Sequence, residues 1–265
     1  MSDEINKLKK YISNIDYNSI NHYININPKK TAQIWPDYVN FEKRRIKEIP
    51  FLVNQIEKNG ITNPTIFDSC LGTGTTSIGL KLAKFENIIS NEIDQHYIDI
   101  AKQEATNNHV SLDITEYDWT KLETRDKFNV ITCLGNSITY LFNKKDQIKT
   151  LTNFYNLLNN DGILVIDERN YPKILDGKFR HSGQFLYCNK DKVEARVNYA
   201  SENIVIFEFN HKIRNIKVHI PVYPFKRNEL KRMLKNVGFK EINSFGDYKE
   251  NKYINCEFIT YVCKK

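Results

Sequence analysis

Long apolar runs are missing from this sequence. No segment approaches the roughly 18 consecutive apolar residues that span a bilayer. The first residues, Met1-Ser2-Asp3-Glu4, are polar, unlike a signal peptide. A cytoplasmic location with no membrane partner is therefore expected. Paired cysteine motifs are missing too. The five cysteines, Cys70, Cys133, Cys188, Cys256 and Cys263, are odd in number and contain no Cys-x-x-Cys. That excludes a disulfide framework or a zinc ribbon and leaves reduced, partly buried side chains with no metal site. Internal repeats and low-complexity linkers are absent. The net charge of +7 is spread out, with only short runs such as Lys43-Arg44-Arg45 and Lys226-Arg227. A diffuse positive surface suits solubility and a small anionic substrate better than a nucleic-acid footprint.

What is present is organised around Phe67-Asp68-Ser69-Cys70-Leu71-Gly72-Thr73-Gly74-Thr75-Thr76-Ser77. A β-branched run, Thr65-Ile66-Phe67, enters a Gly-x-Gly turn, and a helical pattern (Ile78, Leu80, Leu82, Ala83) follows at once. Such a turn lets backbone N–H groups approach a nucleotide-type ligand closely. The plainer alternative is an ordinary tight βα turn. Glu92, 20 residues after Gly72 and at the end of the run Ile88-Ile89-Ser90-Asn91, is placed to accept from ribose hydroxyls.

From 64 to 167 the pattern alternates. Strands are predicted at 65–70, 87–92, 109–113, 128–134 and 161–167, and helices at 75–84, 94–107 and 145–159. Alternation of this kind implies a parallel sheet whose ligands lie beyond the carboxyl ends of the strands. Cys70, Glu92, Asp113, Leu134 and Asp167 fall at or near those ends. Upstream, Ile5, Leu8, Ile12 and Ile15 keep a helical period, and Tyr17 to Pro28 reads as a loop. A further helix is predicted from near Tyr38 toward Pro50, with another from Pro50 to Asn59. Downstream, Val193, Ala195, Val197 and Tyr199 alternate, as do Ile204, Ile206, Phe207 and Phe209, which predicts an antiparallel β insertion. A helix from Asn228 to Asn236 and edge strands at 239–245 and 255–263 complete the chain.

The fold expected is α/β and Rossmann-like. It has a mostly parallel seven-stranded sheet with helices on both faces, an N-terminal helical cap and the β insertion after strand 5. Its parts are a cap at 1–60, a cofactor-binding core at 61–177, an acceptor-side insertion at 178–225 and a completing unit at 226–265. The ligand follows from what the turn omits. Three residues beyond Gly74 stands Ser77, not the third glycine a dinucleotide fingerprint requires, and the Gly-Lys-Ser/Thr phosphate loop is absent. With Asp118-Trp119 near a third strand end, S-adenosylmethionine is favoured over a dinucleotide, with S-adenosyl-L-homocysteine as the product.

Several stretches are more specific. Leu71-Gly72-Thr73-Gly74, Leu134-Gly135-Asn136-Ser137, Arg169-Asn170-Tyr171 and Gly246-Asp247-Tyr248 together resemble the glycine and sarcosine N-methyltransferases, from about Trp35 to the C-terminus, which implies the class I methyltransferase form of the Rossmann-like fold. The resemblance implies that Trp35, Tyr38 and Arg45 close over the cofactor, with Arg45 near its methionyl carboxylate. Cys70 and Gly72 would lie around the methionyl group, Gly74 would also bind the cofactor, and Glu92 would hold the ribose, where an aspartate is usual. Asp118 and Trp119 would stand beside the adenine. Leu134 and Asn136 would bridge cofactor and acceptor, Arg169 would grip the acceptor carboxylate, and Tyr187 would line its pocket. Two further tyrosines of the glycine enzymes correspond to Phe209 and Val222, a departure that bears on whether glycine is the acceptor.

Methyl transfer is an in-line displacement that needs alignment more than acid–base machinery. An arginine fork such as Arg169 can fix a carboxylate or a phosphate. Other readings stay open at this point. One is a phosphorylated or sugar-linked acceptor methylated on N or O, for which His181 is the nearby base; Lys178, Arg180 and His181 otherwise read as a solvated loop. A nucleic-acid adenine methyltransferase would carry a Pro-Pro-aromatic segment where Leu134-Gly135-Asn136-Ser137 stands. A non-catalytic cofactor sensor ranks last, and monomer and homo-oligomer are equally open.

Overall fold

The computed structural model describes residues 27–122, 124–177, 191–250 and 256–265. The helix read from Ile5 to Ile15, Tyr187 and the Lys178–His181 loop lie outside the described residues.

Helix α1 (Pro28–Tyr38) opens with Asn27 as its cap, the side chain accepting from the Lys30 N–H, and with Pro28 in the first turn where its missing N–H costs nothing. Helix α2 (Phe41–Lys58) is capped in the same way by Asn40. The sequence reading broke this segment at Pro50. The structure instead runs one 18-residue helix through the proline. Pro50 removes a bond to the Ile46 carbonyl, four residues back. Both residues are exposed, so water can take the bond's place. The α1 stretch, by contrast, was not predicted as a helix at all.

The alternating segment follows as β1 (Ile66–Asp68), α3 (Thr75–Leu82), β2 (Ile88–Asn91), α4 (Gln95–Asn107), β3 (Asp113–Thr115), β4 (Phe128–Cys133), α5 (Lys144–Leu157) and β5 (Leu158–Arg169). A short helix α6 (Tyr171–Leu175) leads toward a small sheet of β6 (Val193–Ala200), β7 (Val205–His211) and β8 (Ile216–Val222). Helix α7 (Glu229–Val237) and strands β9 (Glu241–Gly246) and β10 (Phe258–Lys264) end the chain. The main sheet has the order β3-β2-β1-β4-β5-β10-β9. Its first five strands are parallel neighbours, and β10 lies antiparallel to both β5 and β9. This is the Rossmann-like class I methyltransferase arrangement, as expected.

Because helices cover both faces, adjacent strand residues feed opposite cores. Phe67, Ile131 and Leu164 join Tyr38 and Phe154 on one side. Ile66, Val130 and Val165 join Leu52 and Leu80 on the other. The chain leaves β1 toward β2 on one flank and reaches β4 on the other, so a crevice opens where the strand order reverses. Among the described residues no helix is long and apolar enough to cross a membrane.

The small sheet is pinned to α1 at Asp37. That carboxylate accepts from Lys192 at 2.6 Å, from Arg214 at 3.0 Å and from Nε2 of buried His211 at 3.0 Å. The His211 tautomer is fixed, since its Nδ1 accepts from the N–H groups of Ile213 and Arg214. Burial opposes the charge, but the hydrogen bonds from Lys192 and His211 outweigh it and hold the Asp37 carboxyl below its usual range. A depressed carboxyl stabilises the fold above its unfolded pKa of about 3.9 and loses that contribution as pH falls through the folded value. Asp37→Asn is expected to cost about 1–2 kcal/mol at pH 7, less than a fully buried pair because two of its cations are half-exposed. Urea unfolding at pH 7 and at pH 3 checks this, and the gap between variant and parent should narrow at the lower pH.

Candidate active site

The crevice is a 540 Å³ cavity at the carboxyl ends of β1, β2 and β4. Its floor is the glycine turn. Gly72 has φ +53°, lines the cavity, and a Cβ built there would meet no protein atom within 4 Å. Gly74 caps α3 at φ +88°, and a Cβ on it would stand 2.8 Å from Cδ1 of Ile78. Only glycine fits that position. It turns the chain but does not line the cavity. Where a dinucleotide fold would place a third glycine, the Ser77 hydroxyl donates to Asp68 at 2.6 Å and meets the Ser90 hydroxyl at 2.9 Å. Helix α3 is thus fastened to the strand by hydrogen bonds. Asp68 also accepts from Thr132 at 2.9 Å, and burial raises its pKa.

Glu92 is held by the backbone. Its Oε2 accepts from the Gly72 N–H at 3.0 Å, and its Oε1 accepts from Ile93 at 2.9 Å and Asp94 at 3.1 Å. Burial pushes the carboxyl up, against the pull of the Asp94, Gly72 and Ile93 N–H groups. Oε1 is thus filled, while Oε2 keeps lone-pair capacity for a further donor, and the residue lines the cavity. Asp118 and Trp119 follow β3 in the same wall. Asp118 accepts from the Thr120 N–H and hydroxyl, which holds its carboxyl below the usual range despite some burial. The Trp119 indole donates to the Ser69 carbonyl at 2.7 Å and packs edge-on to Phe154. Asn91 fixes this wall by accepting from the Tyr117 N–H and donating to the Tyr117 carbonyl.

Cys70 and Leu134 complete the wall on the β4 side. The Leu134 N–H donates to the Cys70 sulfur at 3.2 Å. A hydrogen bond with Cys133 and burial push the Cys70 thiol well above its ordinary pKa, so it stands as a neutral thiol. Beyond Leu134 the loop is held by Asp167, which accepts from the N–H groups of Gly135 at 3.1 Å and Asn136 at 2.6 Å and from the Tyr248 hydroxyl at 2.6 Å. Asn136 sits in the left-handed region, φ +70°. Its Oδ1 accepts from the Arg169 N–H and from the Tyr171 hydroxyl, both at 2.9 Å. Asn136, Tyr38 and Arg169 are all buried and form a layer beside the cavity rather than its wall. The Arg169 guanidinium lies 4.6 Å from the Phe258 ring centre and 5.1 Å from that of Phe207, and its Nη2 donates to the Tyr38 hydroxyl at 3.2 Å. Trp35 lines the cavity and packs against Tyr38 and Phe209.

The structure places Arg44, and not Arg45, in the cavity wall. Successive helical residues point about 100° apart, so only one of the pair can face inward. Arg45 turns to Glu42 at 2.7 Å and over the Phe41 ring. Sequence reasoning also passed over Tyr97, Tyr140 and the β8 edge at His219 to Pro221, all of which line the cavity. Among the described residues no group of three or more His, Cys, Asp or Glu side chains could hold a metal ion.

Residues 66–162 match a family model described as a methyltransferase domain. A glycine/sarcosine N-methyltransferase of Aphanothece halophytica is 30% identical over 254 residues, which cover 95% of this chain and 94% of that protein. Another, from Halorhodospira halochloris, is 28% identical over 87% of this chain and 85% of its own length. In fold, the chain is similar to a S-adenosylmethionine-dependent methyltransferase from Clostridium acetobutylicum. The TM-score is 0.70 at 20% identity, over 94% of this chain and 98% of that one.

Proposed function

The chain belongs to the S-adenosylmethionine-dependent methyltransferases, in the family of the glycine/sarcosine enzymes, and from that premise we propose that it methylates the amine of a small, carboxylate-bearing acceptor of the glycine or sarcosine kind. The cavity residues suit the cofactor. Glu92 offers the open site of an anchored carboxylate to a ribose hydroxyl, Gly72 leaves room for close backbone approach, and Asp118 can accept from an exocyclic amine beside the Trp119 ring. Arg44 provides a cation for the amino-acid end.

When bound, the cofactor supplies an electrophilic methyl group on a sulfonium. The chain's own residues align the acceptor and keep water out. Arg169 fixes a carboxylate through a two-pronged fork, and Asn136 offers the Nδ2 donor, which has no partner among the described residues. The observation that carries the acceptor reading is the placement of a single buried guanidinium between two phenyl rings, at the end of β5 beside the cofactor cavity. A desolvated cation in that position favours a carboxylate partner. A neutral amine then needs no base in the transfer step itself.

An assay with methyl-labelled S-adenosylmethionine tests this. Glycine, sarcosine and a set of small amino acids are expected to accept label. The same amines without a carboxylate are expected to react at least about 100-fold less well in kcat/KM, because the charge-assisted bonds to the Arg169 fork are then missing. Equal rates with and without the carboxylate would refute the acceptor assignment.

A further inference from the structure

We propose that Glu48 is a positioning residue for cofactor binding, acting through Arg44. This rests on the reading above, in which Arg44 meets the carboxylate of the cofactor's amino-acid end.

Glu48 is fully buried on α2, one turn beyond Arg44. Its Oε2 accepts from Arg44 Nε at 2.6 Å and its Oε1 from the Thr76 hydroxyl at 2.6 Å. Arg44 Nη2 in turn reaches the same hydroxyl at 3.3 Å. Thr76 belongs to α3, the helix that starts at Gly74. Three side chains therefore close a triangle that ties the cation to the helix emerging from the glycine turn. With its Nε edge held, the guanidinium presents its Nη edge toward the loop after β4, where both Nη atoms lie 3.7 Å from the Cβ position of Gly135. An arginine pre-set in one orientation loses less entropy when it binds a carboxylate than a swinging one.

Removing the Glu48 charge has two opposed effects. It frees Arg44 to turn, which weakens binding, and it removes a nearby anion, which on its own would favour an anionic ligand. The amino-acid end of the cofactor is a zwitterion with no net charge, so the second effect acts on the carboxylate and ammonium with opposite sign and largely cancels. Orientation then decides. In Glu48→Gln the amide can accept from Arg44 or from Thr76, not from both, because its second atom is a donor.

Calorimetry with two nucleosides reads the effect directly. S-adenosylhomocysteine carries the amino-acid end, whereas 5′-methylthioadenosine lacks it and uses only the Glu92, Asp118 and Trp119 side. Glu48→Gln is expected to weaken S-adenosylhomocysteine about tenfold, the scale of one charge-assisted bond, and to leave 5′-methylthioadenosine within about twofold. Arg44→Met should weaken S-adenosylhomocysteine alone, and adding Glu48→Gln to it should change nothing more, as expected of residues that act as one unit. Thr76→Val, which removes the hydroxyl with little change of shape, should act in the same direction by a smaller factor and covers the case in which Glu48→Gln does not fold. Equal weakening of both nucleosides, no weakening of either, or additive effects of Arg44→Met and Glu48→Gln would overturn the role of Glu48. If Arg44→Met leaves S-adenosylhomocysteine binding intact, the reading of Arg44 fails first.

Discussion

Replacing Glu92 with alanine is expected to weaken S-adenosylhomocysteine binding by about 10- to 100-fold while the protein stays folded. A ribose hydroxyl donating to the open site on Oε2 forms a charge-assisted bond of about 1.5–3 kcal/mol. Losing it, less some replacement by water, accounts for that range, since each 1.4 kcal/mol is tenfold in Kd. Glutamine should not rescue the site. Three backbone donors converge on the Glu92 oxygens, Gly72 on one and Ile93 with Asp94 on the other. Either orientation of an amide turns an NH2 group against at least one of them. Stability is expected to change little, because burial already raises the carboxyl and the charge therefore costs the folded state something at neutral pH. Calorimetry for binding and thermal unfolding for the fold separate the two. A loss of less than about threefold in affinity would show that the ribose is held elsewhere, whatever happened to the melting temperature.

The prediction is available from sequence because the glycine turn and the acid 20 residues later are local signals, each read from a strand end. The same holds for most of the parallel core, where apolar runs alternate with helical periods and strands are buried on both faces. What sequence reasoning missed is governed by context. Helix α1 carries Pro28 and Pro36 within 11 residues, which reads as a broken stretch, yet the first proline sits in the opening turn and the second close to the end. Strand β8 alternates cleanly through Ile216, Val218, Ile220 and Val222, but Pro221 disguises it. The strand lies at the edge of its sheet, where a missing N–H is tolerated.

The site shows the same division. Its strand-end residues were legible, since topology alone puts Cys70, Glu92 and Leu134 at one end of the sheet. The choice between Arg44 and Arg45 was not. It depends on the rotational phase of α2 against the core, and a family spacing carried over residue by residue cannot register a shift of one position. Glu48 was equally hidden, because a charged residue in a basic helical stretch reads as surface until its two partners are seen to lie inside. Phe209, by contrast, stands out in the sequence as a departure, and its ring packs against Trp35 and Tyr38.

Arg169→Ala is expected to raise the acceptor KM by about 100-fold or more and to leave the affinity for S-adenosylhomocysteine unchanged. The guanidinium is buried with two phenyl rings and the Tyr38 hydroxyl around it, so a carboxylate that pairs with it is largely desolvated. Breaking such a pair costs about 2–5 kcal/mol, most of it from the charge left behind. The cofactor side should not notice. The Arg169 backbone N–H bonds to Asn136 Oδ1 in the loop after Leu134, and a substitution of the Arg169 side chain leaves that bond in place. Arg169→Lys separates charge from shape. A lysine keeps the positive charge but not the fork, so recovery of most of the lost kcat/KM would mean that the acceptor is held by charge alone. Recovery of little would mean that two parallel bonds set the angle at which the amine meets the methyl carbon. Steady-state kinetics with the best acceptor, alongside calorimetry of each variant, gives both numbers. An unchanged acceptor KM in Arg169→Ala would move the carboxylate site elsewhere in the cleft.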